Sequence, residues 1–370
     1  MLLCTATILS AIYNLIIVSM SKTLLKMNSK NNNQQKTASI IISARNEGSK
    51  LTKLINLLMN QTYPEELYEV IIVNDRSTDN TLNILQRLSK KYSNLKYIDH
   101  SIVPIDWAPK KWALNKAIEL SSNDFIIQTD AVCIVKKTWI ETIMLEFSDN
   151  IRFVCGLSPL ISTNKLLNEG FFIDSIAQDA FAASCINFEI PLTCTGRNIA
   201  YSKKAFYKAG GFDNISHFIS GDDDLLLHKI SNLTNYKTTF SLDINSVVIS
   251  EAPKSLNKFI QQRLRWASKS FAYYSLDSSI ELKLILPFIY FVNIFCLFTI
   301  IQFINTPILI LLLPWVIKTI ADWIIVYRMM SLYNFQFSKT SFFIISLFHP
   351  VYISVFGIIG PLYKNIKWKE

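Results

Sequence analysis

The chain has 370 residues, half of them hydrophobic, and a mean hydropathy of +0.27, which argues against an ordinary soluble protein. Its 37 Lys and Arg against 28 Asp and Glu give a net charge of +9, carried largely by lysines that flank apolar segments. That placement points to anionic lipid rather than to nucleic acid.

The first apolar run covers 2–20. At about 1.5 Å per residue, roughly 20 residues cross a hydrocarbon core. No basic residue precedes the run and no small-x-small site follows it, so a retained anchor (1–21) is expected rather than a cleaved signal peptide. Lys22, Lys26, Lys30 and Lys36 come next with no acid among them, which puts that end on the cytoplasmic side. Residues 22–36 read as a basic polar linker, with low complexity at 31–35.

A soluble domain is expected over 37–250. "TASIIISARNE" (37–47), "YEVIIVND" (68–75), "NLKYID" and "FIIQTD" read as strands. Between them "GSKLTKLINLLMNQ", "STDNTLNILQRLSKKY" and "KKWALNKAIELSS" read as helices, with Leu82, Leu85 and Leu88 sharing a face of the second. Alternation of this kind builds an α/β domain on a mostly parallel, Rossmann-like sheet. Ligands bind such sheets beyond the carboxyl ends of the strands, so Arg45, Glu47, Asp75 and Asp130 should share one rim. Asp75 also suits a turn or cap. Asp130 has no cap pattern after it, and a carboxylate there suits a divalent ion that also holds a diphosphate.

"CTGRNIAYSKKAFYKAGGFD" (194–213) joins a short strand to a helix, and its Thr195–Asn198 stretch reads as a backbone approach to a ligand or a plain turn. "ISGDDDLLLHKI" (219–230) sets three acids at a helix start, where they complement the helix dipole. Crowding also raises the cost of ionising all three, a useful property in a general base, and spacing does not say which of Asp222, Asp223 and Asp224 it is.

The segment 251–278 reads as a basic amphipathic helix on the membrane surface, with Gln262, Arg265 and Trp266 on one face. A guanidinium beside an indole can hold a diphosphate and stack on a sugar. The remainder, 279–370, holds apolar runs at 284–304, 307–327 and 342–363, or two to three spans. Three would put Lys364, Lys367 and Lys369 outside, against the charge rule, so one run is expected to be re-entrant or interfacial. The middle run carries Lys318 and Asp322, four apart and able to pair. Six cysteines without CxxC or CxxH spacing, and four dispersed histidines, argue against zinc; a cytoplasmic domain keeps the thiols reduced.

Taken together, these stretches resemble a membrane-bound family 2 glycosyltransferase of the GT-A fold, related to cellulose and poly-N-acetylglucosamine synthases. The likeness runs over about 38–270. "SARNEG" looks like the opening nucleotide-binding strand, which implies Arg45 and Glu47 near base and ribose. "VNDRSTDNT" resembles V-D-D-x-S-x-D, placing Asp75 against uracil, and "KKWALN" resembles K-x-x-A-L-N, pointing to Lys110. "TGRNIAY" resembles the acceptor loop with Asn198. "GDDD" matches the acid pair in which Asp222 lies on the acceptor side and Asp223 is the base. Gln262 to Trp266 fits Q-x-x-R-W, implying Arg265 on the donor diphosphate and Gln262 and Trp266 on the acceptor.

Two departures stand out: Asn74 replaces the first acid of the usual pair, and Val132 replaces the second acid of D-x-D. The resemblance implies an inverting hexosyltransferase in the cell membrane, multi-pass, its catalytic domain cytoplasmic. Its partners would be a nucleotide-sugar donor, a lipid or glycan acceptor and the bilayer, with no nucleic acid. Mg²⁺ or Mn²⁺ at Asp130 would be the cofactor, less strictly required because of Val132. The competing expectation is a non-catalytic nucleotide-sugar-binding subunit of a polysaccharide synthase; Val132 favours it, while retention of Asp223 and of the Gln-Arg-Trp face opposes it.

Overall fold

The computed structural model describes residues 1–25, 36–162, 165–276 and 278–363, which divide into two compact units. The polar run 31–35 and the lysines 26, 30, 364, 367 and 369 lie outside the described residues.

One unit is built on a seven-stranded sheet. Its strands are β1 (Ala38–Ala44), β2 (Tyr68–Asp75), β3 (Leu95–His100), β4 (Phe125–Gln128), β5 (Ile151–Gly156), β6 (Ile199–Ser202) and β7 (Lys237–Ser241), in the order β3-β2-β1-β4-β6-β5-β7. β1 and β2 are buried along their whole length, as unbroken runs of Ile and Val require when helices cover both faces of a sheet. The first four strands pair in parallel, and β6 runs antiparallel between β4 and β5. All four parallel strands therefore end on one edge, which carries Arg45, Asp75 and Asp130 as the alternation predicts.

The intervening helices bury the stripes their sequences supply. Gly48–Leu58 inserts Leu51, Leu54, Ile55 and Leu58, and Pro109–Leu120 inserts Ala113, Leu114, Ala117 and Ile118. Thr81–Ser89 buries Thr81, Leu85 and Leu88, leaving the expected Leu82 partly exposed. Positions i, i+4 and i+7 share the face, and residue 82 sits about 100° round from 81.

Glu69 is a buried carboxylate in β2. Burial pushes its pKa up, but the Lys96 ammonium at 2.7 Å and donors from Ser39 and Ser122 outweigh that and hold it below the ordinary 4.5. The stabilisation is present in full above pH 4.5 and is lost as pH falls through the lowered folded value. Thermal melts across that window should show Glu69→Gln about 1–3 kcal/mol less stable at neutral pH and less sensitive to acid.

The other unit is helical: Leu2–Ser21, Lys165–Asn187, Leu256–Ala267, Ala272–Ser275, Ile280–Asn305, Leu313–Leu332 and Lys339–Leu362. The helix Lys165–Asn187 belongs here, so the 37–250 stretch is interrupted by an apolar segment that packs with the membrane helices. Among the described residues four stretches are long and apolar enough to cross a bilayer: Leu2–Leu25, Ile280–Asn305, Leu309–Leu332 and Lys339–Leu362. All three C-terminal runs are thus of spanning length, including the one that carries charges.

Lys318 and Asp322 pair as their spacing predicts. Tyr13 adds a hydrogen bond to Asp322 at 2.7 Å, and Lys318 Nζ lies 3.1 Å from His349 Nδ1. This satisfied cluster lowers the cost of charge in an apolar surround. It also ties the first helix to Leu313–Leu332, assisted by Asn14 on the Ile317 carbonyl at 2.9 Å.

Candidate active site

The edge where the parallel strands end is laced by backbone geometry. After β1, Asn46 takes φ of 54°, and after β2, Arg76 takes φ of 53°. Asn46 N–H donates to the Ser77 hydroxyl, and Asn46 Oδ1 accepts from Thr78 N–H. Asp79 accepts from Gly48 N–H, and Thr81 Oγ1 from Glu47 N–H. Two loops distant in sequence become one rigid lip. Arg45 is half-buried there and Glu47 is buried.

Asp75 is fully buried, gripped by Arg76 Nε at 2.7 Å and Nη2 at 3.2 Å, with His100 Nε2 at 3.9 Å. Burial lowers the His100 pKa despite Asp75 nearby, so the imidazole is neutral at physiological pH. Asn74, the departure from a second acid, donates its amide to Asp99 at 2.7 Å. A carboxylate at 74 would instead confront Asp99.

The second cluster centres on Lys110, at the start of Pro109–Leu120. Its ammonium lies 3.0 Å from Asp130 and 2.9 Å from Asp222. Burial alone would push its pKa down, but Asp130, and after it Asp222, outweigh burial and hold it above its ordinary value. Gln128, the last residue of β4, donates to the same Asp222 oxygen at 2.8 Å. The neighbouring Lys111 is buried and points elsewhere, donating to the carbonyls of Phe218 at 2.5 Å and Ser220 at 2.7 Å. It pins the loop ahead of the acidic run, and Gly221 then turns the chain with φ of 88°.

The three acids therefore have distinct surroundings. Asp222 is buried against Lys110 and Gln128. Asp224 is buried and accepts from Leu225 N–H at 2.8 Å. Asp223 caps Asp224–Leu233 and is the partly exposed member; it accepts from Gly196 N–H at 2.7 Å and Asp224 N–H at 2.8 Å. A Cβ on Gly196 would lie 3.2 Å from the carboxylates of both Asp222 and Asp223 and from the Gln128 amide, so glycine allows this approach.

Asn198 does not face the rim. It is fully buried, its amide donates to the carbonyls of Leu157 at 3.0 Å and Ser246 at 2.8 Å, and its oxygen accepts from the Trp139 indole at 3.1 Å. With those bonds made in the interior, it braces the Gly196 loop and cannot also reach an acceptor. Val132 lies beyond β4, which ends at Gln128, and 130–133 form a turn closed by Cys133 N–H on the Asp130 carbonyl at 3.0 Å. Strand alternation therefore does not relate positions 130 and 132.

For a metal ion the protein offers Asp130, whose side chain is about a third exposed with one oxygen on Lys110. Among the described residues no group of three or more His, Cys, Asp or Glu could hold an ion. A single carboxylate completed by phosphate oxygens and water nevertheless fits hydrated Mg²⁺ or Mn²⁺.

The Glycosyl transferase family 2 profile matches residues 39–209. The chain carries a family 2 glycosyltransferase domain. Curated relatives of that domain include glycosyltransferase AglE of Haloferax volcanii, 27% identical over 56% of this chain and 64% of that protein. Another is the dolichyl N-acetyl-alpha-D-glucosaminyl phosphate 3-beta-D-2,3-diacetamido-2,3-dideoxy-beta-D-glucuronosyltransferase of Methanococcus voltae, 27% identical over 62% of this chain and 71% of that one. The chain thus spans about two thirds of the length of these relatives. Among solved structures, the mannosyltransferase PcManGT of Pyrobaculum calidifontis, in complex with GDP-Man and Mn²⁺, matches over 99% of this chain and all of that one, with a TM-score of 0.60 and 14% identity. That likeness establishes the GT-A fold.

In the sheet unit the structure gathers Lys110, Asp130, Asp222 and Asp223, while Asp75 is bonded to Arg76 near His100. Gln262, Arg265 and Trp266, all half-buried, lie on Leu256–Ala267 of the helical unit. Sequence reasoning missed Gln128 and Lys111, and met Gly196 only as part of the Thr195–Asn198 approach. Gln128 was signalled by an amide ending an apolar strand.

Proposed function

We propose that the protein is an inverting glycosyltransferase, moving a sugar from a UDP-linked donor to a hydroxyl of a lipid or glycan acceptor at the cytoplasmic face of the cell membrane. The observation that carries this is Asp223: of three adjacent acids it alone is partly exposed, and two backbone N–H groups fix it beside the Lys110–Asp130 pair.

Asp223 accepts the acceptor hydroxyl proton as that oxygen forms its bond to the anomeric carbon. The bond to the diphosphate breaks on the opposite face, its electron pair leaving with the diphosphate, and the configuration inverts. Lys110 in the sheet domain and the Arg265 guanidinium are assigned to the charge that grows on the leaving group. Asp75, Arg45 and Glu47 are assigned to the nucleoside, and Gln262 and Trp266 to the acceptor. Asp130 would hold Mg²⁺ or Mn²⁺, which supplies Lewis-acid charge to the diphosphate when bound. Asp222, held at one oxygen by Lys110 and Gln128, is assigned to the acceptor side of Asp223.

A lipid acceptor is supported by the four spanning-length stretches among the described residues, and by the lipid-linked acceptor named in the Methanococcus relative. Membranes containing the full chain, incubated with a panel of radiolabelled UDP-sugars, should place label in extractable lipid or in polymer. Chelator should reduce transfer, since one carboxylate holds the ion weakly without a second acid. Label from GDP-sugars instead would move the donor assignment, and label from no donor would support the non-catalytic subunit.

A further inference from the structure

The helix Leu256–Ala267 carries two arginines, and the sequence motif draws attention to Arg265. The buried one is Arg263, 3% exposed. Its guanidinium carbon lies 4.3 Å from the centroid of the Trp266 ring, 4.8 Å from Phe259 and 5.7 Å from Tyr352. Nη2 is paired with Asp174 on Lys165–Asn187, and Gln178 donates to the same carboxylate oxygen at 2.8 Å. Phe259 is itself flanked by Phe171 at 5.4 Å and Tyr352 at 6.1 Å. A planar cation thus sits among three rings, held from one side by a carboxylate whose own position is fixed.

We propose that Arg263 is a positioning residue for transfer: held by Asp174, its guanidinium plane fixes the orientation of the Trp266 indole. This rests on the reading of Trp266 as an acceptor-side residue. A guanidinium over an aromatic face is attracted by the ring quadrupole and gains when desolvated. Gln178 on the Asp174 carboxylate and the rings around the guanidinium restrict both side chains. An unheld indole on a half-exposed helix face samples several rotamers, and each wrong one removes the stacking surface an acceptor sugar needs.

Lysine separates this role from a purely structural ion pair. Arg263→Lys keeps the charge for Asp174 but lacks the plane, whereas Arg263→Met loses both. The full chain in detergent, labelled with 5-fluorotryptophan, gives a ¹⁹F resonance for Trp266 that Trp266→Phe assigns by its disappearance. In Arg263→Lys that resonance should shift and broaden, and kcat with the donor found in the panel should fall about tenfold or more. UDP affinity should change less than about twofold, since no donor contact is removed. Arg263→Met should match or exceed these losses; if it does not fold, the lysine variant decides. A lysine variant with the wild-type resonance and kcat overturns the proposal and leaves only an ion pair. A moved resonance with unchanged kcat overturns it as well. Trp266→Phe turning over at the wild-type rate overturns the acceptor reading beneath it instead.

Discussion

Asp223→Asn lowers sugar transfer by roughly 10²–10⁴-fold, the range a positioned general base supplies, while UDP affinity stays within about twofold. Gly196 N–H and Asp224 N–H bond different oxygens of the carboxylate, at 2.7 and 2.8 Å, so asparagine keeps an acceptor for one of the two and loses the ability to take a proton. A thermal melt of the same variant reads the cost of the lost bond, about 1–3 kcal/mol, apart from the loss of chemistry. Single-turnover rates with isothermal titration of UDP on the same preparation check both halves. Transfer within about tenfold of wild type would remove Asp223 as the base. Asp224→Asn supplies the contrast: that carboxylate is buried and turned onto Leu225 N–H, so its loss should act on stability before chemistry.

Why the sequence identified Asp223 only through a resemblance follows from the same contacts. Three consecutive acids at a helix start are equivalent to any local rule, because dipole and crowding arguments treat them alike. They become distinct only when Lys110 and Gln128, roughly a hundred residues upstream, take up Asp222, and when Gly221 turns the chain. The parallel sheet was legible for the opposite reason. Unbroken Ile and Val runs alternating with 3–4 stripes state strand, helix and burial at once, and β1 and β2 needed nothing from afar. Asn198 shows where a motif misleads: its letters fit an acceptor loop, yet bonds to Leu157, Ser246 and Trp139 turn the amide inward. Lys165–Asn187 was equally hidden, since its apolar residues are broken by Asp174 and Asp179, and only Arg263, distant in sequence, explains the first of these.

Lys110→Met should abolish detectable transfer and also weaken the fold, and the two effects should come apart in a double variant. Lys110 stands between two carboxylates, of which the Asp222 side chain is 7% exposed and that of Asp130 34%. Removing the ammonium lets water reach Asp130 but leaves Asp222 buried with the Lys110 charge gone and the Gln128 bond kept. Breaking a buried pair in this way costs about 3–5 kcal/mol. In a unit of this size that lowers the melting temperature by roughly 10 °C. Adding Asp222→Asn removes the stranded charge while keeping an oxygen for Gln128, so Lys110→Met/Asp222→Asn should recover most of the lost stability. Transfer should not return, because the ammonium assigned to the leaving diphosphate is still missing. The raised pKa of Lys110 fixes the pH behaviour: its stabilisation is complete below 10.5 and is lost only as pH rises through the higher folded value. The gap between wild type and Lys110→Met should therefore show no alkaline decline from about pH 6 to about pH 9. A double variant no more stable than the single one would mean that Asp222 is not the buried charge Lys110 compensates.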